Sequence, residues 1–252
     1  MRKTKTKQWL TALLSAGSLW ASAQTCTLTT CTGTVPVCER ICNGGFLIRN
    51  SEPTGLTAPL GFQQVERACG WGSVWTTNST PDYFTSAAQY TSNVQIPCNG
   101  LGYQAANFDD CYVGLMANTN GVGGNGMADW KEAVYTAFSS SIAVGETYEI
   151  TFYISLADGL QYNVLNSFGV DVTLGGVPVG TPTYVNTSSV TTTGWTKFSI
   201  LYTSGSGGEN GIRIGFLRVP DSWDYVYSNA SPSSCTGGAP QGISYYYLDN
   251  VS

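Results

Sequence analysis

The chain has 252 residues, a formal net charge of −5, eight cysteines, no histidine and only 11% charged residues. The lack of histidine excludes Ser-His-Asp and Cys-His nucleophilic catalysis and histidine-ligated zinc, copper or non-haem iron. A carboxylate pair is the main hydrolytic chemistry left, and the scarcity of basic residues gives no electrostatic footprint for nucleic acid or anionic lipid.

Arg2, Lys3, Lys5 and Lys7 form a basic start, Trp9 to Trp20 is apolar, and Ala21-Ser22-Ala23 is a small-x-small cleavage site. The apolar stretch falls far below the ~20 residues of a spanning helix, so residues 1–23 read as a secretory signal peptide cleaved after Ala23. No later segment predicts membrane insertion. Four of the 11 basic residues lie in this leader and all 16 acidic ones lie beyond it, leaving seven basic residues and a net charge of −9.

Residues 24–42 hold four cysteines and no core-sized apolar pattern, and read as a disulfide-pinned lead. Across the chain, Cys26, Cys31, Cys38, Cys42, Cys69, Cys98, Cys111 and Cys235 are an even set in an exported protein. They predict up to four disulfides, with 105 pairings open. The four in the lead lack the paired C-x-x-C spacing of zinc sites.

From Asn43, "NGGFLIRNSEP" predicts a first strand over Phe46 to Ile48. "GWGSVWTTNSTPDYF" and "NTNGVGGNGMADW" carry the Gly, Asn and Pro punctuation of long loops. The glycine run 120–126 lacks the lysine and Ser/Thr of a phosphate loop. "DDCYVGLMA" reads as a strand packed on both faces, whereas "ADWKEAVYTAF" places Trp130, Val134 and Phe138 at helical spacing and also suits a strand.

The second half alternates with period two, the mark of strands with one buried face. Tyr148, Ile150, Phe152, Ile154 and Leu156 share one side of "ETYEITFYISLAD"; Phe168, Val170, Val172 and Leu174 share one side of "SFGVDVTLGG". "GWTKFSILYTS" sets Thr196, Phe198, Ile200 and Tyr202 against Trp195, Lys197, Ser199 and Leu201. "NGIRIGFLRV" sets Ile212, Ile214 and Phe216 against Arg213 and Gly215, and "ISYYYLDNVS" closes the series. Short strands at this spacing predict an all-β fold, an antiparallel sandwich over 43–252 with long loops.

The order "NGGF", "STPDYF", "IPCNGLGYQ", "CYVGLMA", "VGETYEITFYISLAD", "GWTKFSILYT" and "YYYLDNVS" resembles the galactose-binding-like and carbohydrate-binding jelly-roll modules of bacterial surface proteins exported by type IX secretion. The resemblance implies a two-sheet jelly roll acting as a non-catalytic module, secreted or at the bacterial cell surface, with a glycan or a surface protein as ligand. It also implies that the last strand returns beside the first and that Asp249 helps hold a structural calcium. Relatives often place a glutamate after the first-strand phenylalanine, where this chain has Leu47. Such proteins commonly continue into further domains, which raises the expectation that this chain is part of a larger gene product.

Sugar sites combine flat aromatic rings with Asp, Asn and Gln. "VPDSWDYVYSNASPSSC" is the leading candidate, with Trp223, Tyr225 and Tyr227 beside Asp221 and Asp224; packing under a Cys235 disulfide is the competing reading. Asp82 and Tyr83 of "STPDYF" are a second candidate, equally readable as a turn entering a strand. For a glycosidase, the carboxylates at hand are Asp109 with Asp110, Asp129 with Glu132, and Asp221 with Asp224, none at a distinctive spacing. A structural spacer with no small ligand is the remaining alternative. The sequence sets no oligomeric state.

Overall fold

The computed structural model describes residues 39–49, 62–77, 79–88, 93–118, 130–160, 162–220, 224–227, 235 and 243–252. The leader and Cys26, Cys31 and Cys38 lie outside these residues. No helix among the described residues is long and apolar enough to cross a membrane.

The described chain forms strands β1 (Trp71–Ser73), β2 (Asp82–Thr85), β3 (Cys98–Asn99), β4 (Gly102–Tyr103), β5 (Cys111–Asn118), β6 (Trp130–Lys131), β7 (Ala133–Ala137) and β8 (Thr147–Leu156). They continue as β9 (Tyr162–Val164), β10 (Phe168–Leu174), β11 (Val177–Pro178), β12 (Thr183–Tyr184), β13 (Thr196–Thr203), β14 (Gly211–Phe216), β15 (Tyr225–Tyr227) and β16 (Ser244–Asp249). The first sheet runs β1-β7-β14-β10-β11, with β12 also on β10. The second runs β13-β8-β16-β5-β2, with β6 also on β5. Each pairing between these strands is antiparallel. Along β5, β7, β8, β10, β13, β14 and β16 the chain changes sheet at every step, the wrap of a jelly-roll sandwich.

Period-two burial drives this arrangement. Ile150, Phe152 and Ile154 of β8 face Phe168, Val170 and Val172 of β10 and Ile212, Ile214 and Phe216 of β14 across the core. At its centre the rings of Phe168 and Phe216 lie 5.4 Å apart, and those of Phe216 and Tyr246 also 5.4 Å. Full burial of one such side chain contributes about 1.5–3 kcal/mol. Leu174 departs from its pattern and stands 47% exposed, whereas Leu201, on the Lys197 side of its strand, is 74% exposed.

The three tyrosines of β16 need two cores. Tyr246 and Leu248 enter the main core; Tyr245 and Tyr247 enter a second cluster with Phe84, Tyr112, Ile96 and Leu101 on the other side of the second sheet. Each phenol finds an acceptor: Tyr245 donates to Asp82, Tyr246 to Asn163, and Tyr247 to Asn99 at 2.9 Å. The strand is central, between β5 and β8, so the chain end is buried on both faces. The Val251 N–H donates to Gly44 O at 3.0 Å, which brings the end of the chain to "NGGF".

"NGGF" is not a strand. The Asn43 side chain accepts from Ile48 N at 2.9 Å and donates to Ile48 O and Cys69 O, both at 2.9 Å. That side chain competes with a strand ladder, Phe46 takes φ 61°, and a single bridge from Arg49 to Ala68 remains. Trp130 and Val134 lie on strands β6 and β7 rather than a helix, because Glu132 carries the chain from one sheet to the other between them.

Candidate functional site

The two sheets differ on their outer faces. The second cluster covers the outer face of the second sheet over β2, β5 and β16, whereas the first sheet presents side chains outward. With Ile and Phe turned inward, its outward row is Gly72, Tyr135, Arg213 and Asp171, in register across β1, β7, β14 and β10. The next row places Ala133, Gly215, Gly169 and Tyr184 side by side.

The glycines make this surface flat. A Cβ on Gly72 would stand 2.7 Å from Tyr135 Cε1, and one on Gly169 would stand 2.9 Å from Tyr184 Cδ1. Both tyrosine rings therefore lie across glycine backbone. Tyr135 is half-buried and Tyr184 is 37% exposed. No described residue engages either hydroxyl. The Arg218 guanidinium lies 5.7 Å from the Tyr184 ring centroid, and Lys131 Nζ lies 4.4 Å from that of Trp75. Arg213 holds Asp171 through Nε at 2.7 Å and through Nη2. Burial pushes the Tyr184 phenol up, and the Arg218 charge opposes this. Flat rings bordered by hydrogen-bonding groups suit the C–H faces and hydroxyls of a sugar.

Among the described residues expected from the sequence, Asp224 reaches this face through Arg218. It is buried, accepts from Arg218 Nη2 at 2.7 Å and from Ser167 Oγ at 3.2 Å, and so anchors the guanidinium beside Tyr184. Tyr225 is half-buried, packed on the core and 5.9 Å from the Tyr162 ring. Asp221 and Trp223 lie outside the described residues, as does the Tyr227 side chain, although its backbone belongs to β15.

Asp82 and Tyr83 are interior, which corrects their reading as ligand contacts. Asp82 is 5% exposed and accepts from Gln63 N at 2.5 Å and from Tyr245. Tyr83 is 1% exposed and donates to Phe46 O at 3.2 Å. They face inward because both sides of β2 are covered. Asp82 and Glu132 are electrostatic neighbours, both pushed up by burial first; the Glu132 charge raises Asp82 further. This carboxylate pair lies inside the fold and not across a groove.

Asp249 caps a turn. Its Oδ1 accepts from Asn250 N at 2.7 Å and its Oδ2 from Asn107 N at 2.9 Å. Burial pushes its carboxyl up to about 7, with Asp109 adding to the rise. No group of three His, Cys, Asp or Glu able to hold a metal gathers among the described residues.

Cys98 and Cys235 form a disulfide across 137 residues, and Cys42 and Cys69 are also disulfide-bonded. Cys111 corrects its reading as a disulfide candidate. It is a free, fully buried thiol on β5 that donates to Gly45 O at 3.4 Å, with burial pushing it up to about 11.

Sequence reasoning did not single out Trp75, Lys131, Tyr135, Asp171 and Tyr184 as candidates for a site. The available signal was glycine at the outward positions of "FGVDV" and "GIRIGF", which marks close approach by another group.

No protein-family model matches the chain, and no curated protein does. Among solved structures, the CBM22-1 xylan-binding domain from Paenibacillus barcinonensis Xyn10C is 15% identical, covering 72% of this chain and 83% of its own, with a TM-score of 0.33. The K1 cleaved adhesin domain of Lys-gingipain from Porphyromonas gingivalis W83 is 10% identical, covering 72% and 88%, with a TM-score of 0.36. A CBM4 structure is 13% identical, covering 56% and 81%, with a TM-score of 0.33. TM-scores below 0.5 leave function to be argued from the chain's own surface.

Proposed function

We propose that the protein is a non-catalytic recognition module that binds a carbohydrate across the outer face of its first sheet. The observation that carries this reading is the pair of tyrosine rings, Tyr135 and Tyr184, lying across Gly72 and Gly169. Their hydroxyls, together with Trp75 Nε1, are not engaged by described residues. The carboxylates of this face support a binding rather than a hydrolytic role, since Asp171 and Asp224 are each held by an arginine. The Cys98–Cys235 disulfide supports an extracellular setting, secreted or at the cell surface. A glycan and polysaccharide binding screen on the oxidised protein is the test. Binding lost in both Tyr135→Ala and Tyr184→Ala supports the site. Binding lost only in Trp223→Ala moves the site to the segment that holds Trp223. Absence of binding across the screen leaves the spacer or protein-adhesion role in its place.

Calcium at Asp249 is a separate proposal. The charge suits a cation, because the buried Asp249 and the exposed Asp109 repel one another. These two carboxylates would hold the ion, which takes six to eight oxygens in all, and it would relieve their repulsion. A bound ion raises stability by RT ln(1 + [L]/Kd), so the expected result is a melting temperature that falls on chelation. An unchanged melting temperature removes calcium from the account.

A further inference from the structure

We infer that two copies of this chain pair along β13, antiparallel and centred on Ser199, joining their second sheets into one. β13 is the outermost strand of the second sheet, and none of the described strands lies on its free side. It runs eight residues in unbroken register with β8 and contains no proline. The other described edges, β1, β2, β11 and β12, are only two to four residues long. Natural sheets keep exposed edges short or interrupt them, because a long regular edge is a template for pairing with another strand.

The direction of the backbone groups on β13 follows from its neighbour. Strand β8 lies between β13 and β16, and Thr151 of β8 exchanges two backbone bonds with Ser252, at 2.8 and 2.9 Å, on the β16 side. In an antiparallel ladder alternate residues turn to opposite neighbours. Ile150 and Phe152 therefore turn toward β13, where they stand opposite Ile200 and Phe198. Ser204 N donates to Glu146 O at 3.0 Å, which fits the same alternation. Lys197, Ser199, Leu201 and Thr203 consequently aim their N–H and C=O groups off the sheet, where no described backbone group meets them. All four residues are exposed.

The occupant that matches this edge is β13 of a second copy. Pairing centred on Ser199 sets Lys197 opposite Leu201 of the second copy, and Phe198 opposite Ile200 of the second copy. Leu201, 74% exposed, would be covered by the Lys197 stem, and the half-buried Phe198 would gain an apolar neighbour. The charges match as well. Within one copy Leu201 stands opposite Glu149 and Lys197 opposite Tyr153, so the lysine and the glutamate are kept apart. No described carboxylate forms an ion pair with Lys197. The Glu149 carboxylate accepts from Ser199 Oγ, which holds it over the edge strand. Pairing would bring each Lys197 beside the Glu149 of the other copy. Such a contact is self-complementary about a two-fold axis, so it closes at a dimer.

Sedimentation velocity of the oxidised protein over a concentration series tests this, and the mass should rise to that of two copies. Ser199→Pro removes an N–H that β8 does not use, at the kind of edge position that accepts proline, so the variant should fold as the parent does. It deletes both bonds of the central pair and should weaken self-association at least about tenfold. Lys197→Glu sets like charges together and should weaken it too, whereas Lys197→Glu combined with Glu149→Lys should restore it. A mass of one copy at every concentration overturns the proposal. So does a dimer that Ser199→Pro and Lys197→Glu, both folded by circular dichroism, leave at the parent's strength, since the copies then meet elsewhere. A double charge swap that fails to restore the dimer contradicts the register centred on Ser199, and with it the proposal.

Discussion

Glu132 accepts the backbone N–H of Met116 at 2.8 Å, and the carboxylate thereby stands in for a missing strand. On that side of β5, strand β2 pairs as far as Gly114 and β6 begins at Ala117. Met116 falls in the gap. The other carboxylate oxygen gathers Thr80 N and Trp130 Nε1, both at 2.9 Å. One side chain thus joins β5, β6 and the segment leading into β2 at the point where the chain crosses between sheets. Glu132→Ala should destabilise by about 3 kcal/mol or more, since each orphaned buried donor costs about 1–3 kcal/mol. Urea unfolding measures it, and a loss below 1 kcal/mol would remove Glu132 from this role.

The neighbouring Asp82 sets a pH dependence. Burial raises both carboxyls above their ordinary values of 3.8 and 4.5. Above those values the folded protein holds protons that the unfolded chain has released. Stability contributed by this pair is therefore full below the ordinary values and is lost as pH rises through the folded ones. Asp82→Asn removes one of the two charges. Its urea midpoint should fall less than the parent's between pH 4 and pH 8, and parallel curves would contradict the pairing.

Core truncation should separate the aromatic stack from the surface. Phe168 is fully buried and touches Phe152, Phe216 and Tyr246. Phe168→Ala should lose about 3–5 kcal/mol by urea denaturation. An equally drastic effect from Leu201→Ala, on a residue 74% exposed, would be unexpected.

Thiol chemistry tests the cysteine assignment. Cys111 is fully buried and its thiol is raised, so it should resist alkylation in the folded protein and react on denaturation without reductant. Peptide mapping that found Cys111 in a disulfide would contradict the structure.

The sandwich was legible where one strand face meets the core. The alternations over Tyr148 to Leu156, Phe168 to Val172 and Ile212 to Phe216 are visible residue by residue, because period-two burial leaves a period-two sequence. Local polar competition hid the turn at Asn43, whose side-chain amide replaces a ladder that apolar Phe46 to Ile48 alone would suggest. An even cysteine count could not reveal that Cys111 faces a packed interior. The proposed recognition face was the least legible part. Tyr135, Asp171, Tyr184 and Arg213 come from four strands, and only the register of the jelly-roll crossovers sets them side by side.

The glycine beneath Tyr184 offers a geometric check. A Cβ on Gly169 would stand 2.7 Å from Thr183 O and 2.9 Å from the Tyr184 ring, so Gly169→Ala must displace that ring. Affinity for the bound glycan should fall about as far as in Tyr184→Ala. Unchanged affinity in a folded Gly169→Ala protein would mean that the ring is not a contact.

The most direct measurement is isothermal titration of one glycan taken from the screen into the parent protein and into Tyr135→Ala and Tyr184→Ala at matched melting temperature. The account predicts that each variant loses at least about tenfold in affinity, as expected for aromatic contacts at the centre of a binding surface. Full affinity in both variants would contradict the assignment of the first sheet's outer face.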